Sequence, residues 1–268
     1  MQQANPLISV ITVSYNNQPT IRQTIESVLS QVDASFEYWI IDGGSTDGTL
    51  DIIQEYEGRL QYISEPDQGL YYAMNKGWEK ASGAFVGFLN ADDFYNNQLV
   101  LFRISQAIHN QPHIAAVYGD LAYVDATDTE KVVRYWQSGT FSRNSFLWGW
   151  MPPHPTFYAR KLMFEKFGGF RADQFRSAAD YEFMLRLLYK YQVPVAYVPH
   201  LFVRMRVGGL SNSSVHNRVR GNTEDRAAWK VNGLKPYFFT LLAKPLRKLV
   251  QFIQKPPREE VGNLSKKP

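Results

Sequence analysis

FVGFLNADD, residues 85–93, is a short apolar run that stops abruptly in an asparagine and two adjacent carboxylates. An uninterrupted apolar run of this length reads as a strand buried on both faces, and such strands belong to sheets covered by helices. Open α/β sheets bind ligands outside the carboxyl ends of their strands, so Asn90, Asp92 and Asp93 are expected to project into a crevice. Two carboxylates packed this closely repel, and a divalent cation is the simplest thing that relieves them. Taken alone, the triplet reads equally well as a turn capping a helix that begins near Asn97, since Asp is a common N-cap and turn residue.

Upstream of this run, strand and helix patterns alternate. LISVITVSY (7–15), FEYWIID (36–42) and LQYISE (60–65) read as strands. Between them, Ile21, Ile25, Val28 and Leu29 mark one helical face after the turn at Asn16, Asn17 and Pro19, and Leu50, Ile53 and Tyr56 mark a shorter helix. Leu70, Ala73, Met74, Gly77, Trp78 and Ala81 recur at helical spacing, with Gly83 expected to close that helix as a C-cap. Repeated units of this size imply parallel strands, right-handed crossovers and an α/β sandwich.

Asp42 ends its strand as NADD ends a later one, so both should face one crevice. The loop after it, GGSTDGT, holds G-x-x-x-x-G from Gly43 to Gly48, but Thr49 and Leu50 replace the Lys-Ser/Thr of a phosphate-cradling loop, and no G-x-G-x-x-G follows the first strand. A strand-end carboxylate beside glycines can accept a hydrogen bond from a base N–H or a ribose hydroxyl, or it can form an Asx turn.

With 268 residues, 44% hydrophobic and 20% charged, the chain is long enough for a full core. It has no cysteine, which excludes disulfides and thiolate metal sites. The first apolar stretch, Leu7 to Val13, is too short for a cleavable leader and contains Ser9 and Thr12, so the reading is a strand of a cytosolic protein. Of the net charge of +4, residues 234–258 contribute six cations and no anion, and residues 259–268 balance, which leaves residues 1–233 at 4 − 6 = −2. A faintly acidic body does not suit nucleic acid. LKPYFFTLLAKPLRKLVQFIQKPP is too interrupted to span a bilayer, and reads as two short amphipathic helices split at Pro245. Phe238, Phe239, Leu242, Leu246, Leu249, Phe252 and Ile253 supply the apolar face, which either clamps onto the body or lies on an anionic membrane.

SVITVSYN, WIIDGGSTDGT, SEPDQGLYYAMNKG and GFLNADD, in that order and spacing, resemble the nucleotide-binding half of the family 2 glycosyltransferases. The resemblance covers about the first hundred residues strongly and continues through HPTFYARKLMFEKFGGF (154–170), SAADYEFMLRLLYKY (177–191) and RVGGLSNS (206–213). It implies a GT-A fold, a Rossmann-like, mostly parallel sheet sandwiched by helices, here with a C-terminal amphipathic tail. It divides the chain into a catalytic domain of residues 1–213, with a nucleotide-binding half to 95 and an acceptor half from 96, then helices and basic tail over 214–258 and a polar terminus.

The implied activity is metal-dependent, inverting transfer of a sugar from a nucleotide sugar, a UDP-sugar foremost, to a hydroxyl of a lipid-linked or surface glycan, at the cytoplasmic face of a membrane. By resemblance Tyr15 lies along the nucleobase, Asp42 hydrogen-bonds the base, Asp92 holds Mg²⁺ or Mn²⁺ on the diphosphate, and Asp180 is the catalytic base. Asn16, Asp67, Lys76, Asn90, Ala91 and Asp93 complete the expected donor site. The family's metal motif is Asp-x-Asp, and here its first member is Asn90, whose neutral carboxamide suits ribose or a metal-bound water better than the ion. From the residues alone, Asp180 is also a helix-start acid favoured by the macrodipole, and Glu182 points elsewhere on that helix. His154, in a stiff loop of two tryptophans and three prolines (148–157), suits a sugar face or a packed surface. His200 reads as a strand-end core histidine ahead of a metal ligand, and Arg218 and Arg220 as cations over a diphosphate or on a solvated helix. A nucleotidyltransferase that makes nucleotide sugars, or a non-catalytic glycan-binding subunit, is the alternative reading.

Overall fold

The computed structural model describes residues 6–208, 215–241, 243–244, 247, 251–254 and 256, and of residues 215–222 the backbone alone. The expected domain boundary at 213/214, the side chains of Arg218 and Arg220, and Leu242, Leu246, Leu249, Lys248, Lys255 and Arg258 lie outside the described residues.

Among the described residues nine strands form one sheet: β1 (Ile8–Ser14), β2 (Phe36–Asp42), β3 (Gln61–Ser64), β4 (Phe85–Asn90), β5 (Asp93–Tyr95), β6 (Ala116–Val124), β7 (Val132–Trp136), β8 (Tyr158–Arg160) and β9 (Val195–Arg206). Their order is β3-β2-β1-β4-β8-β6-β9-β5, with β7 on β6. The four strands of the N-terminal half, β3-β2-β1-β4, are parallel, as strand-helix alternation requires. Beyond β4 the sheet is mixed: β8 is antiparallel to both β4 and β6, while β9 runs parallel to β6 and antiparallel to β5.

Period-two alternation of the buried strands feeds two separate cores. Ile11, Val13, Ile41, Val86 and Phe88 point to one face, where α3 (Leu70–Lys80) lays Ala73 and Met74 on them. Ile8, Val10, Ile40, Phe85 and Leu89 point to the other, beneath α1 (Ile21–Leu29), α2 (Thr49–Gln54) and α4 (Val100–Asn110). Further along the chain come α5 (Lys161–Phe167), α6 (Ala179–Met184), which continues as a π-helical turn over Leu185–Lys190, and α7 (Val215–Val231). Trp229 of α7 is fully buried and its indole N–H donates to the Tyr181 hydroxyl of α6 at 2.9 Å, so α7 completes the first core.

Three local expectations are corrected. Gly83 is not the cap of α3, which ends at Ala81 in an extended conformation; a Cβ at Gly83 would lie 2.6 Å from Ser9 Oγ, so glycine is needed there for close approach to β1. The helix after NADD starts at Val100, and Asp93 lies in strand β5, which removes the helix-cap reading of the acidic pair. His200 lies in the middle of the twelve-residue β9 and is exposed, not a strand-end residue in the core.

The tail folds back on the body over its described residues. Thr240 is buried, with its hydroxyl donating to Leu147 O at 2.7 Å. Lys244 pairs with the buried Asp225 of α7 at 2.6 Å, and the Tyr135 amide of β7 donates to Gln251 O at 2.9 Å. Among the described residues no helix is long and apolar enough to cross a membrane.

Candidate active site

The register of the parallel half aligns Ser14 with Asp42, Asp42 with Ser64, and Val13 with Asn90, which brings the carboxyl ends of β1, β2, β3 and β4 to one edge. Asp42 is fully buried there. Its carboxylate accepts the Gly44 and Ser45 amides at 3.1 and 2.9 Å and the hydroxyls of Ser45 and Ser64. The Asx-turn alternative is therefore what the geometry displays, and Asp42 braces the GGST loop. That loop is laced to the β1–α1 loop: Ser45 Oγ accepts the Asn16 amide at 2.8 Å, and Asn16 Oδ1 accepts the Thr46 amide at 2.9 Å. Tyr15, 64% exposed, stands beside Gly43, where a Cβ would lie 3.4 Å from its ring. Tyr15 and Asn16 thus form an exposed lip over the end of β2.

At the end of β4 the NADD turn hangs on α1, because Thr20 and Thr24 donate hydroxyl bonds to Ala91 O at 2.9 and 3.0 Å, and Thr24 also reaches Asp93 O. Ala91 is buried. Asn90 Nδ2 donates to Asp93 Oδ2 at 2.9 Å, which ties the departure from the Asp-x-Asp pattern to its neighbour. Asp93 is fully buried and its Oδ1 has no hydrogen-bond partner. Burial, then the charge of Asp92, holds its carboxyl well above the usual carboxylate range; burial also raises Asp92, which is half-buried. Arg206, at the end of β9, donates to Asp92 O and to Gln23 Oε1 and faces both carboxylates.

Lys76 and Asp67 come together, but with each other. Lys76 Nζ sits 2.5 Å from Asp67 Oδ1 and 2.8 Å from Glu65 Oε1, so the lysine expected in the donor site locks the turn before α3. Asp67 Oδ2 is buried without a hydrogen-bond partner among the described residues.

Asp180 occupies the first turn of α6, where Tyr71 Oη donates to its Oδ1 at 2.8 Å. Burial and then the Asp180 charge raise the Tyr71 phenol well above its usual range, so it stays a proton donor to the carboxylate. His154 is half-buried in a 3-10 turn, stacked on Phe88 at 5.9 Å and edge-on to Phe170 at 5.8 Å. Burial lowers its pKa, with Asp180 opposing.

Glu182, two residues on, is fully buried and bonds Arg186 at 2.9 Å and Asn232 at 3.0 Å, with Arg171 at 3.4 Å. Arg186 in turn donates to the carbonyls of Phe167, Gly168 and Gly169, so this pair is structural. Glu224 of α7 accepts three consecutive amides at the start of α6, from Arg176 at 3.2 Å, Ser177 at 2.8 Å and Ala178 at 3.0 Å. A cavity of about 870 Å³ opens between Gly69–Tyr72, residues 172–176 and Glu224, with Tyr71 on its wall.

Sequence reasoning missed Glu224, Tyr71 and Arg206. Arg206 lies in the quoted RVGG stretch and Tyr71 in the quoted DQGLYY stretch, whereas nothing local marks Glu224, 46 residues from Ala178. Among the described residues no three His, Cys, Asp or Glu converge as a metal cage. The pair Asp92–Asp93 instead fits a hard cation that takes one or two carboxylates and fills its other positions with phosphate oxygens and water. The orphaned Asp93 Oδ1 is the observation consistent with that fit.

The chain thus carries a strand-end acidic turn on a half-parallel sheet and, on a later helix, the carboxylate of Asp180. Residues 9–169, more than half of the chain, match the model of glycosyl transferase family 2, and the chain belongs to that family. A Mycobacterium tuberculosis protein described as a PGL/p-HBAD biosynthesis glycosyltransferase is 29% identical over 218 residues, 79% of this chain and 82% of its own. Staphylococcus aureus TarS, solved with UDP, superposes with a TM-score of 0.64 at 18% identity over 91% of this chain and 72% of that one. A mannosyltransferase from Pyrobaculum calidifontis, solved with GDP-Man and Mn²⁺, gives 0.60 at 18% identity over 95% and 66%. At these identities the two structures establish the GT-A fold.

Proposed function

We propose that this protein is an inverting glycosyltransferase that moves a sugar from a nucleotide sugar, a UDP-sugar foremost, to a hydroxyl of a lipid-linked or surface glycan. The observation that carries the reading is Asp180: it is fixed in the first turn of α6 by the Tyr71 hydroxyl on Oδ1, which leaves Oδ2 without a hydrogen-bond partner among the described residues. A carboxylate so held can take the acceptor's proton as the acceptor oxygen bonds to C1 and the bond from C1 to the diphosphate oxygen breaks. One such displacement inverts the anomeric centre. The half-buried His154, with the buried rings of Phe88 and Phe170 packed behind it, offers an aromatic wall for a sugar face. Tyr15 and Asn16 border the nucleoside, with Asp42 holding their loop in place. Asp67 Oδ2, partnerless, is suited to a donor hydroxyl.

Asp92 would hold Mg²⁺ or Mn²⁺, with Asp93 and Asn90 behind it. When bound, such an ion acts as a Lewis acid on the departing diphosphate. TarS, solved with UDP, supports the donor, and the mannosyltransferase, solved with GDP-Man and Mn²⁺, supports the ion. The basic stretch 234–258 supports action at the cytoplasmic face of a membrane.

The test is a panel of nucleotide sugars with product analysis. Release of a nucleoside diphosphate is expected, and pyrophosphate would make the protein a nucleotidyltransferase. Asp180→Asn should keep donor-induced thermal protection while transfer falls by roughly 10² to 10⁴. Undiminished transfer would move the base elsewhere.

A further inference from the structure

The docked tail buries one side of its aromatic cluster and turns the other outward. Phe239 meets Trp148 at 5.0 Å, Tyr237 at 5.3 Å and Phe238 at 5.2 Å between ring centroids, which makes one contiguous patch of four rings. Trp148, Tyr237 and Phe238 remain 55, 52 and 90% exposed. Scattered exposed aromatics are ordinary on a soluble surface, whereas three in one patch mark an interaction site. These rings are held outward by fixed backbone: Thr240 is anchored on Leu147 O, its amide on Tyr237 O at 3.1 Å, and the Ala243 amide on Phe239 O at 2.9 Å.

We propose that this patch is a membrane-docking face, its aromatic rings seated at the headgroup level of an anionic bilayer. Tyr and Trp favour the interface, where one end of the ring is apolar and the other wet. The charge around the patch fits an anionic surface. Lys235, two residues before Tyr237, is exposed, as is Arg247, whereas Lys244 is taken up by Asp225; the sequence of residues 234–258 holds six cations and no anion. Residues 1–233 are net negative, so attraction to such a surface is concentrated in the segment that bears the rings.

The position of the patch deepens the proposed function and rests on it in this one respect. Trp148 ends the 3-10 turn Arg143–Trp148, and the chain from it runs through the buried Trp150 to His154, on the aromatic wall beside Asp180. The docking face and the acceptor wall are two ends of one seven-residue stretch, so a lipid-linked acceptor anchored in the same bilayer is delivered to the side of the site where the base stands.

Vesicle flotation of the full chain tests the docking without any donor or acceptor. The parent should float with phosphatidylglycerol-containing vesicles at low salt and much less with phosphatidylcholine alone. Tyr237→Ser/Phe238→Ser should weaken the partition by about a hundredfold or more, since each of the two ring side chains is worth one to two powers of ten in burial. Lys235→Glu should weaken it on the anionic vesicles only. Both variants should keep the parent melting temperature and its turnover of a water-soluble acceptor. Equal flotation of parent and variants, flotation of neither, or a parent dimer that the double variant abolishes would overturn the proposal, the last by making the patch a contact between copies of this chain. A parent that turns over but does not float, or one that floats but has no transferase activity, separates a failure of the docking from a failure of the enzymatic reading.

Discussion

Replacing Glu224 with Ala removes a single carboxylate that holds three successive amides ahead of α6. Hydrogen bonds to a charged group contribute about 1.5–3 kcal/mol each. Arg176 is exposed and its amide can return to water, so the Ser177 and Ala178 bonds dominate, and non-additivity brings the loss to about 3 kcal/mol. In a chain of this size that corresponds to a fall in Tm of roughly 6–10 °C. Asp180 lies two residues beyond Ala178, and a displacement of about 1 Å in a reacting group can cost on the order of 10²-fold in rate. Glu224→Ala is therefore expected to lower kcat by about ten- to a hundredfold while the donor KM holds, because Glu224 touches neither the Asp42 loop nor the NADD turn. Glu224→Gln keeps an acceptor oxygen and should recover part of both losses. The measurements are a thermal melt and initial transfer rates at varied donor. A Glu224→Ala protein that melts within a degree or so of the parent and transfers at its rate would refute the idea that this carboxylate positions the base.

Asp93 has its folded-state pKa raised by burial, so the folded chain holds that proton more tightly than the unfolded one. The associated stability is present below the unfolded carboxylate's pKa and is lost as pH rises through the folded value. Asp93→Asn should accordingly be more stable than the parent by about 1–2 kcal/mol at neutral pH, with the gap closing in acid; a denaturant series across pH checks the sign. Asp92→Asn should abolish the response of turnover to added Mn²⁺, whereas Asn90→Ala should cost less, and matching manganese titrations of Asp92→Asn and parent would remove Asp92 from that role. A chain ending at Gly233 loses the Thr240 and Lys244 anchors and should melt lower than the full chain, with an unchanged Tm speaking against the clamp.

The parallel half was readable because its signals are local. LISVITVSY, FEYWIID and FVGFLN are apolar on both faces, which only a helix-covered sheet accommodates, and the register then follows from the crossovers. The second half was less readable because β8 has three residues and β5 three, and their places are set by partners distant in sequence. Among the site residues, the position of Asp180 in a first helical turn was legible from Met184, Leu185 and Leu188. The partners of Lys76 and Asp42 were not. Lys76 finds Glu65 and Asp67 across a turn, and Asp42 finds Ser45 and Ser64, so short-range polar pairing consumed groups whose chemistry alone suggested substrate contacts. Glu224 was invisible because a carboxylate on a polar helix looks the same whether it faces water or a row of amides.

The junction between β4 and β8 limits how this molecule can move. Tyr158 lies so close over Gly87 that a Cβ there would come within 2.1 Å of its ring, and Phe85, Val86 and Gly87 pair with Arg160, Ala159 and Tyr158 in one continuous sheet. Close packing of this kind transmits force but leaves no hinge. The two sides of the substrate crevice therefore cannot open and shut as separate lobes. Any closure over a bound donor has to come from the loops that rim the sheet, so the pace of such closure is that of loop motion and the platform beneath stays fixed throughout the cycle.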